Sequence, residues 1–160
     1  SDIAQFCPMF DRLGTQERVR FWVQLIAVMA KYESGYKPGT QYTESTMGID
    51  PVTGKQVVSE GLLQLSYQDE NNYRGVLPAG VCDFDFAKDQ AYPAGDTRRT
   101  ILDPKTNLTC GIAILNRQIE RYGKIAIASG AYWSVIKTGS SNTKLPLIKE
   151  VTNALSFCKQ

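Results

Sequence analysis

Glu33 is placed where a carboxyl group can do acid chemistry. It stands four residues past Met29 and seven past Ile26, so at helical spacing it continues an apolar stripe. Gly35 and Pro38 follow at once and mark the end of the helix, where the macrodipole opposes negative charge. Apolar surroundings and that dipole both disfavour the ionised form, so the pKa of Glu33 should rise. A carboxylic acid that keeps its proton near about pH 6 suits protonation of a glycosidic oxygen. The bland alternative is a glutamate at the stripe's edge that reaches into solvent. A second carboxylate would decide what attacks the broken bond, and Asp50, Glu60 and Asp69 are the candidates. Asp50 suits a turn and Asp69 a surface helix. Glu60, beside Gly61, is the one to test, against the alternative of a solvated residue at a strand end.

Histidine is absent from the 160 residues, which removes the Ser-His-Asp triad, the Cys-His pair, the imidazole base and histidine-ligated zinc. No Cys-x-x-Cys pair is present, so a zinc or iron–sulfur site is not expected; separately, no organic cofactor is expected. Acid–base work near neutral pH must fall to carboxylates, Tyr, Lys or Cys. The 18 Lys+Arg against 16 Asp+Glu give a net charge of +2 with no basic block, and nucleic acid is not an expected partner.

These residues need elements to position them. At 160 residues, with 42% hydrophobic and 21% charged, the chain reads as one globular domain over 1–160. Thr15 is a cap candidate for a helix with Glu17 in its first turn and Trp22, Leu25, Ile26, Met29 and Tyr32 at helical spacing. Residues 40–58 read as a β-hairpin about the turn Asp50–Lys55. A short helical stretch, Leu62 to Asn71, follows Gly61, and 75–100, with glycines and prolines, reads as a long irregular loop. Asp103-Pro104 should start a helix whose inner face carries Leu108, Ile112, Leu115, Ile119 and Tyr122. Ile125 to Lys137 reads as a buried helix, and Pro146 starts a last one with Ile148, Val151 and Leu155 inward. The expectation is α+β, mainly α, with a small hairpin.

Four widely spaced cysteines allow three pairings, among which sequence does not choose. The preferred arrangement is Cys7–Cys158, joining the two ends, with Cys82–Cys110 tying the long loop to a helix; the alternative is four buried thiols. Disulfides would imply an exported chain. No apolar run is long enough to cross a bilayer. The opening Ser1-Asp2 lacks signal-peptide character, so a processed chain is expected. The Asn107-Leu108-Thr109 sequon reads as chance.

In order along the chain stand Glu33-Ser34-Gly35-Tyr36-Lys37-Pro38, Gly61-Leu62-Leu63-Gln64-Leu65-Ser66, Asn107-Leu108 at a helix start, and Ala131-Tyr132. This series resembles the lysozyme superfamily, specifically the soluble lytic transglycosylases and goose-type lysozymes, over about Glu33 to Tyr132. The resemblance implies a lysozyme-like fold with the hairpin beside an active-site cleft, and Glu33 as catalytic acid/base. It implies that Gln64 and the Gly61 backbone line the sugar groove, and that Tyr132 hydrogen-bonds near Glu33. Ser34 would act at the helix end, with Ser66, Tyr67 and Glu60 as further substrate contacts. Two positions depart from the family pattern: Trp133 replaces its asparagine, and Leu63 its methionine. Trp133 is read as core, with stacking on a sugar as the alternative.

The implied activity is cleavage of the β-1,4 bond between N-acetylmuramic acid and N-acetylglucosamine in peptidoglycan. A lytic transglycosylase is expected, in which one glutamate serves as acid and then base and the muramoyl 6-hydroxyl attacks. A hydrolytic muramidase is the alternative, and a non-catalytic glycan-binding module the alternative of another class. Asp50, Glu60, Asp69 and Glu70 around the groove motif would favour de-N-acetylated glycan. The chain is expected to act as a monomer, with glycan strands as its partner, in the periplasm or outside the cell.

Overall fold

Twenty residues with neither glycine nor proline, Thr15–Ser34, form helix α1 in the computed structural model, which describes residues 1–159. The Glu17 carboxylate accepts the Gly14 N–H at 3.2 Å and closes the first turn. Phe21, Leu25, Val28, Met29 and Ala30 are the buried side of α1, while Trp22, Ile26 and Tyr32 are half-buried. Gly35, at φ +60°, ends the helix in a conformation that favours glycine. The chain divides into two compact units, Ser1–Tyr32 with Leu115–Gln160, and Glu33–Ile114.

The first unit packs Phe6, Phe21, Leu25, Met29, Ile125, Trp133, Ile136 and Ile148 into its core. Phe10, Phe21 and Trp22 meet edge to face at 5.0–5.9 Å between ring centroids, a preferred aromatic geometry. Cys7 is joined to Cys158. The run Ile125 to Lys137 is not a helix. Ile125, Ala126 and Ile127 are buried, but their backbone groups find partners outside any helix. The Asp2 carboxylate accepts the N–H groups of Ile125 and Ala126 at 2.8 and 2.9 Å, and Gln118 Nε2 donates to the Ile125 carbonyl at 2.7 Å. Ile127 instead forms a parallel bridge with Lys137, Gly130 turns at φ +79°, and only Ser134–Ile136 makes a 3-10 turn.

The second unit holds an antiparallel pair, β1 (Gln41–Thr43) and β2 (Val58–Glu60), in the register Gln41↔Glu60, Tyr42↔Ser59, Thr43↔Val58. A further bridge, Ile49↔Gln56, leads to the turn at Asp50. The Asp50 carboxylate caps it by accepting the Val52 N–H at 2.8 Å, the Asx-turn chemistry expected there. Residues 61–64 form a tight turn, not the start of a helix; helix α2 covers only Gln68–Asn72. The long loop contains a short helix α3, Phe86–Asp89, capped by Asp85, and Cys82 is joined to Cys110.

Helix α4, Pro104–Tyr122, links the units in sequence. Asp103 accepts the Thr106 N–H and hydroxyl at 2.8 and 2.9 Å, as an N-cap before proline should. Its buried side differs from the apolar count: Ile112 is 48% and Tyr122 42% exposed. Asn107, Cys110, Gly111, Ile114, Leu115 and Gln118 face inward instead. Hydrogen bonds, a disulfide and a close helix contact set the phase there, and none of these registers as hydrophobicity. Helix α5, Leu145–Asn153, carries Pro146 in its first turn and buries Ile148; Leu155 lies beyond its end. The fold class is α+β, mainly helical, with one small antiparallel sheet. Among the described residues no helix is long and apolar enough to cross a membrane.

Candidate active site

Glu33 is the penultimate residue of α1 and is half-buried. Burial pushes its carboxyl up from the ordinary 4.5 to about 7, and the charge of Glu44 adds to the effect. Both causes act in one direction, so Glu33 keeps its proton through the weakly acid range. Next to it, the Ser34 carbonyl accepts the Thr40 hydroxyl and the Lys37 N–H, each at 3.1 Å, and so fixes the chain as it leaves the helix.

The charge that adds to the burial of Glu33 belongs to Glu44, a residue the sequence does not single out beside Asp50, Glu60 and Asp69. It lies one residue beyond β1, with its N–H donated to the Val57 carbonyl at 2.8 Å. Side chains alternate across a strand, so Tyr42, Glu44 and Ser59 share one hairpin face, and Gln41 and Glu60 the other. The Ser59 hydroxyl donates to Glu44 Oε1 at 2.6 Å. The one available signal was the hairpin itself, which begins within ten residues of Glu33.

The turn after β2 is built around Asn107 of α4, which is fully buried. Its amide accepts the Leu63 N–H at 2.8 Å and donates to the carbonyls of Glu60 and Ile101 at 3.0 and 2.8 Å. Gly61, at φ +81°, is required by this contact: a Cβ there would stand 2.3 Å from Asn107 Nδ2. The close approach that glycine permits here is to the Asn107 side chain. Leu63 packs against Gly111 in the same way. Gln64 takes the left-handed conformation at φ +52° and donates its amide to the carbonyls of Gly61 and Thr40 at 2.9 and 3.2 Å. Such backbone strain in a residue other than glycine costs of order 1–3 kcal/mol and collects at functional sites.

The remaining candidate acids have structural partners. Glu60 is not a solvated strand end: it is 2% exposed, bonded to Gln41 and paired with Arg99 at 3.3 Å. Burial pushes its carboxyl up, while Gln41 and Arg99 pull it back. Asp69 is not a surface residue either; it is 2% exposed and accepts the Ser66 N–H at 2.7 Å and the Ser66 hydroxyl at 3.2 Å. Asp50 is buried and also accepts the Gln68 N–H at 2.9 Å. Glu70 pairs with Arg74 at 3.4 Å. Tyr67 is buried and donates its hydroxyl to Asp89 at 2.9 Å. Asp89 in turn accepts the N–H and hydroxyl of Thr100, each at 2.6 Å.

Tyr132 belongs to the first unit, half-buried, its ring 4.7 Å from that of Trp133. Trp133 is 2% exposed and is core. Among the described residues no group of His, Cys, Asp and Glu is arranged to hold a metal ion.

No family model matches the sequence, and none of the curated proteins matches it. Solved structures of Bdellovibrio DslA do. The wild-type form is 32% identical with a TM-score of 0.75, over 99% of this chain and 79% of that one. Two mutants of DslA match at the same identity and coverage, with TM-scores of 0.76 and 0.74. Each carries one glutamate replaced by glutamine, and the two replaced glutamates lie eleven positions apart in DslA. Agreement in sequence as well as shape over nearly the whole chain establishes kinship: this protein belongs to the family of DslA.

Proposed function

We propose that the protein is an exported peptidoglycan glycosidase of the lysozyme superfamily. It cleaves the β-1,4 bond between N-acetylmuramic acid and N-acetylglucosamine, with Glu33 as the acid. The observation that carries this reading is a glutamic acid held neutral to about pH 7, beside the charge of a second glutamate. The ordered motifs shared with lysozyme-type enzymes support it. So does the eleven-residue spacing of Glu33 and Glu44, which equals that of the two glutamates replaced in DslA. The two disulfides support an oxidising, extracytoplasmic setting.

The chemistry follows from the proton held on Glu33. Glu33 transfers its proton to the glycosidic oxygen as the bond from that oxygen to the muramoyl anomeric carbon breaks. Glu44, the base, takes a proton from a water whose oxygen bonds to that carbon, leaving a reducing end. A lytic transglycosylase needs no second carboxylate: the muramoyl 6-hydroxyl attacks, Glu33 takes back the proton, and a 1,6-anhydro end forms. Glu44 favours water as acceptor over the single-glutamate route.

Asp50, Glu60, Asp69 and Glu70, which suggested a taste for de-N-acetylated glycan, all hold structural or ion-pair partners. Glu44, on the hairpin, adds a further acid that would attract a sugar ammonium. Equal rates on acetylated and deacetylated walls would remove that preference. Digestion of purified sacculi, followed by product masses, tests the main reading. Reducing ends are expected from the native protein and no release from Glu33→Gln; undiminished release by that variant would refute Glu33 as the acid, and no release by the native protein would point to a glycan-binding module.

A further inference from the structure

We propose that Ser59 is a positioning residue for Glu44, its hydroxyl holding one carboxylate oxygen so that the other is presented to the attacking water. The inference rests on the reading of Glu44 as base and adds the group that aims it.

Glu44 has three rotatable side-chain bonds and lies just outside β1, in a segment whose neighbours Ser45, Thr46 and Met47 are exposed. Nothing in such a segment fixes a carboxylate by itself, and an oriented base needs its rotamer locked by a supporting contact. The Ser59 hydroxyl provides it at 2.6 Å, within the usual range for a hydroxyl donating to a carboxylate. Ser59 is itself anchored. It is 8% exposed, pairs with Tyr42 in the ladder, and precedes Glu60. The Glu60 backbone exchanges hydrogen bonds with Leu65 at 2.7 and 2.9 Å and accepts one from Asn107, while its side chain is tied to Arg99. Asn107 and Arg99 thus fix β2, β2 fixes the Ser59 hydroxyl, and the hydroxyl fixes Glu44. The charge of Glu44 acts on Glu33, while Glu60 lies on the opposite hairpin face with Gln41.

A hydroxyl that only satisfied a fold contact would affect every step alike. A hydroxyl that aims the base affects the delivery of water while Glu33 still protonates the leaving oxygen. The muramoyl 6-hydroxyl, already in the molecule, then competes better. Ser59→Ala should therefore lower kcat on sacculi about tenfold with KM unchanged, and raise the fraction of 1,6-anhydro ends among the products. Ser59→Thr keeps the hydroxyl and should restore both rate and product ratio. Melting of each variant checks that the fold is retained.

Wild-type rate and product ratio in Ser59→Ala overturn the inference, and so does a slower variant with an unchanged ratio. Loss of activity in Glu33→Gln with either of those results leaves the glycosidase reading standing. Full activity in Glu33→Gln overturns Glu33 as the acid, and no release by the native protein overturns the glycosidase reading itself. Products that are wholly 1,6-anhydro in the native protein overturn both the role of Glu44 and that of Ser59.

Discussion

Replacing Glu33 by glutamine should make the protein more stable, and the gain should depend on pH. In the unfolded chain Glu33 titrates near 4.5, and in the folded protein near 7. Below pH 4.5 both states hold the proton and the site adds no penalty. As pH rises toward 7 the unfolded chain releases the proton while the folded one retains it, so ionisation draws the equilibrium toward unfolding. One pKa unit is worth about 1.4 kcal/mol. The full penalty by pH 8 is therefore about 3 kcal/mol, reduced to about 2 kcal/mol by the solvent that reaches a half-buried group. Glutamine cannot ionise, so Glu33→Gln escapes that penalty at pH 8 and has little to escape at pH 4. For a chain of this size 1 kcal/mol moves the melting temperature by about 2–4 °C. The change in Tm caused by the substitution should thus be about 4–8 °C more favourable at pH 8 than at pH 4. Calorimetry with the disulfides intact measures it, and taking the difference between pH values cancels any packing effect of the amide. An equal change at both pH values would mean that Glu33 ionises like an ordinary surface glutamate, and the acid role would lose its physical basis.

Other perturbations follow from the same contacts. Glu44→Gln removes the second cause of the raised Glu33 carboxyl, so the alkaline limb of the remaining activity should move to lower pH; an unmoved limb in a pH–rate profile would show the two acids to be independent. Gly61→Ala drives a methyl group into Asn107 Nδ2 at a positive φ, and should cost about 2–4 kcal/mol in urea denaturation; a neutral result would contradict the Asn107-centred turn. Arg99→Met leaves Glu60 buried without its cation. It should cost about 3–5 kcal/mol, with much of the loss recovered in the double variant carrying Glu60→Gln, as melting at pH 7 would show.

Legibility in the sequence depended on whether a residue's role was local. The helix carrying Glu33, the Asp103 cap, the turn at Asp50 and the hairpin follow from spacing, breakers and side-chain capping, and all are present. The preferred cysteine pairing is also the one observed. Ile125 to Lys137 misled because an apolar run reads alike as helix or extended core; Asp2, more than a hundred residues away in sequence, decides where its N–H groups go. The inner face of α4 was misjudged because Asn107, Cys110, Gly111 and Gln118 face inward for reasons other than hydrophobicity. Asp69 and Glu60 looked solvated because a carboxylate's backbone or arginine partners are invisible until the chain has folded. Glu44 was missed for the converse reason: in the polar stretch Thr43–Thr46 nothing distinguishes it, and only the hairpin register brings Ser59 to it.

The central claim is that a protonated Glu33 breaks a glycan bond. Mass analysis of fragments released from purified sacculi, by the native protein and by Glu33→Gln side by side, tests it most directly. Muropeptides with reducing ends are expected from the native protein and none from the variant, although the variant folds and melts no lower. Equal release by the two proteins would contradict it.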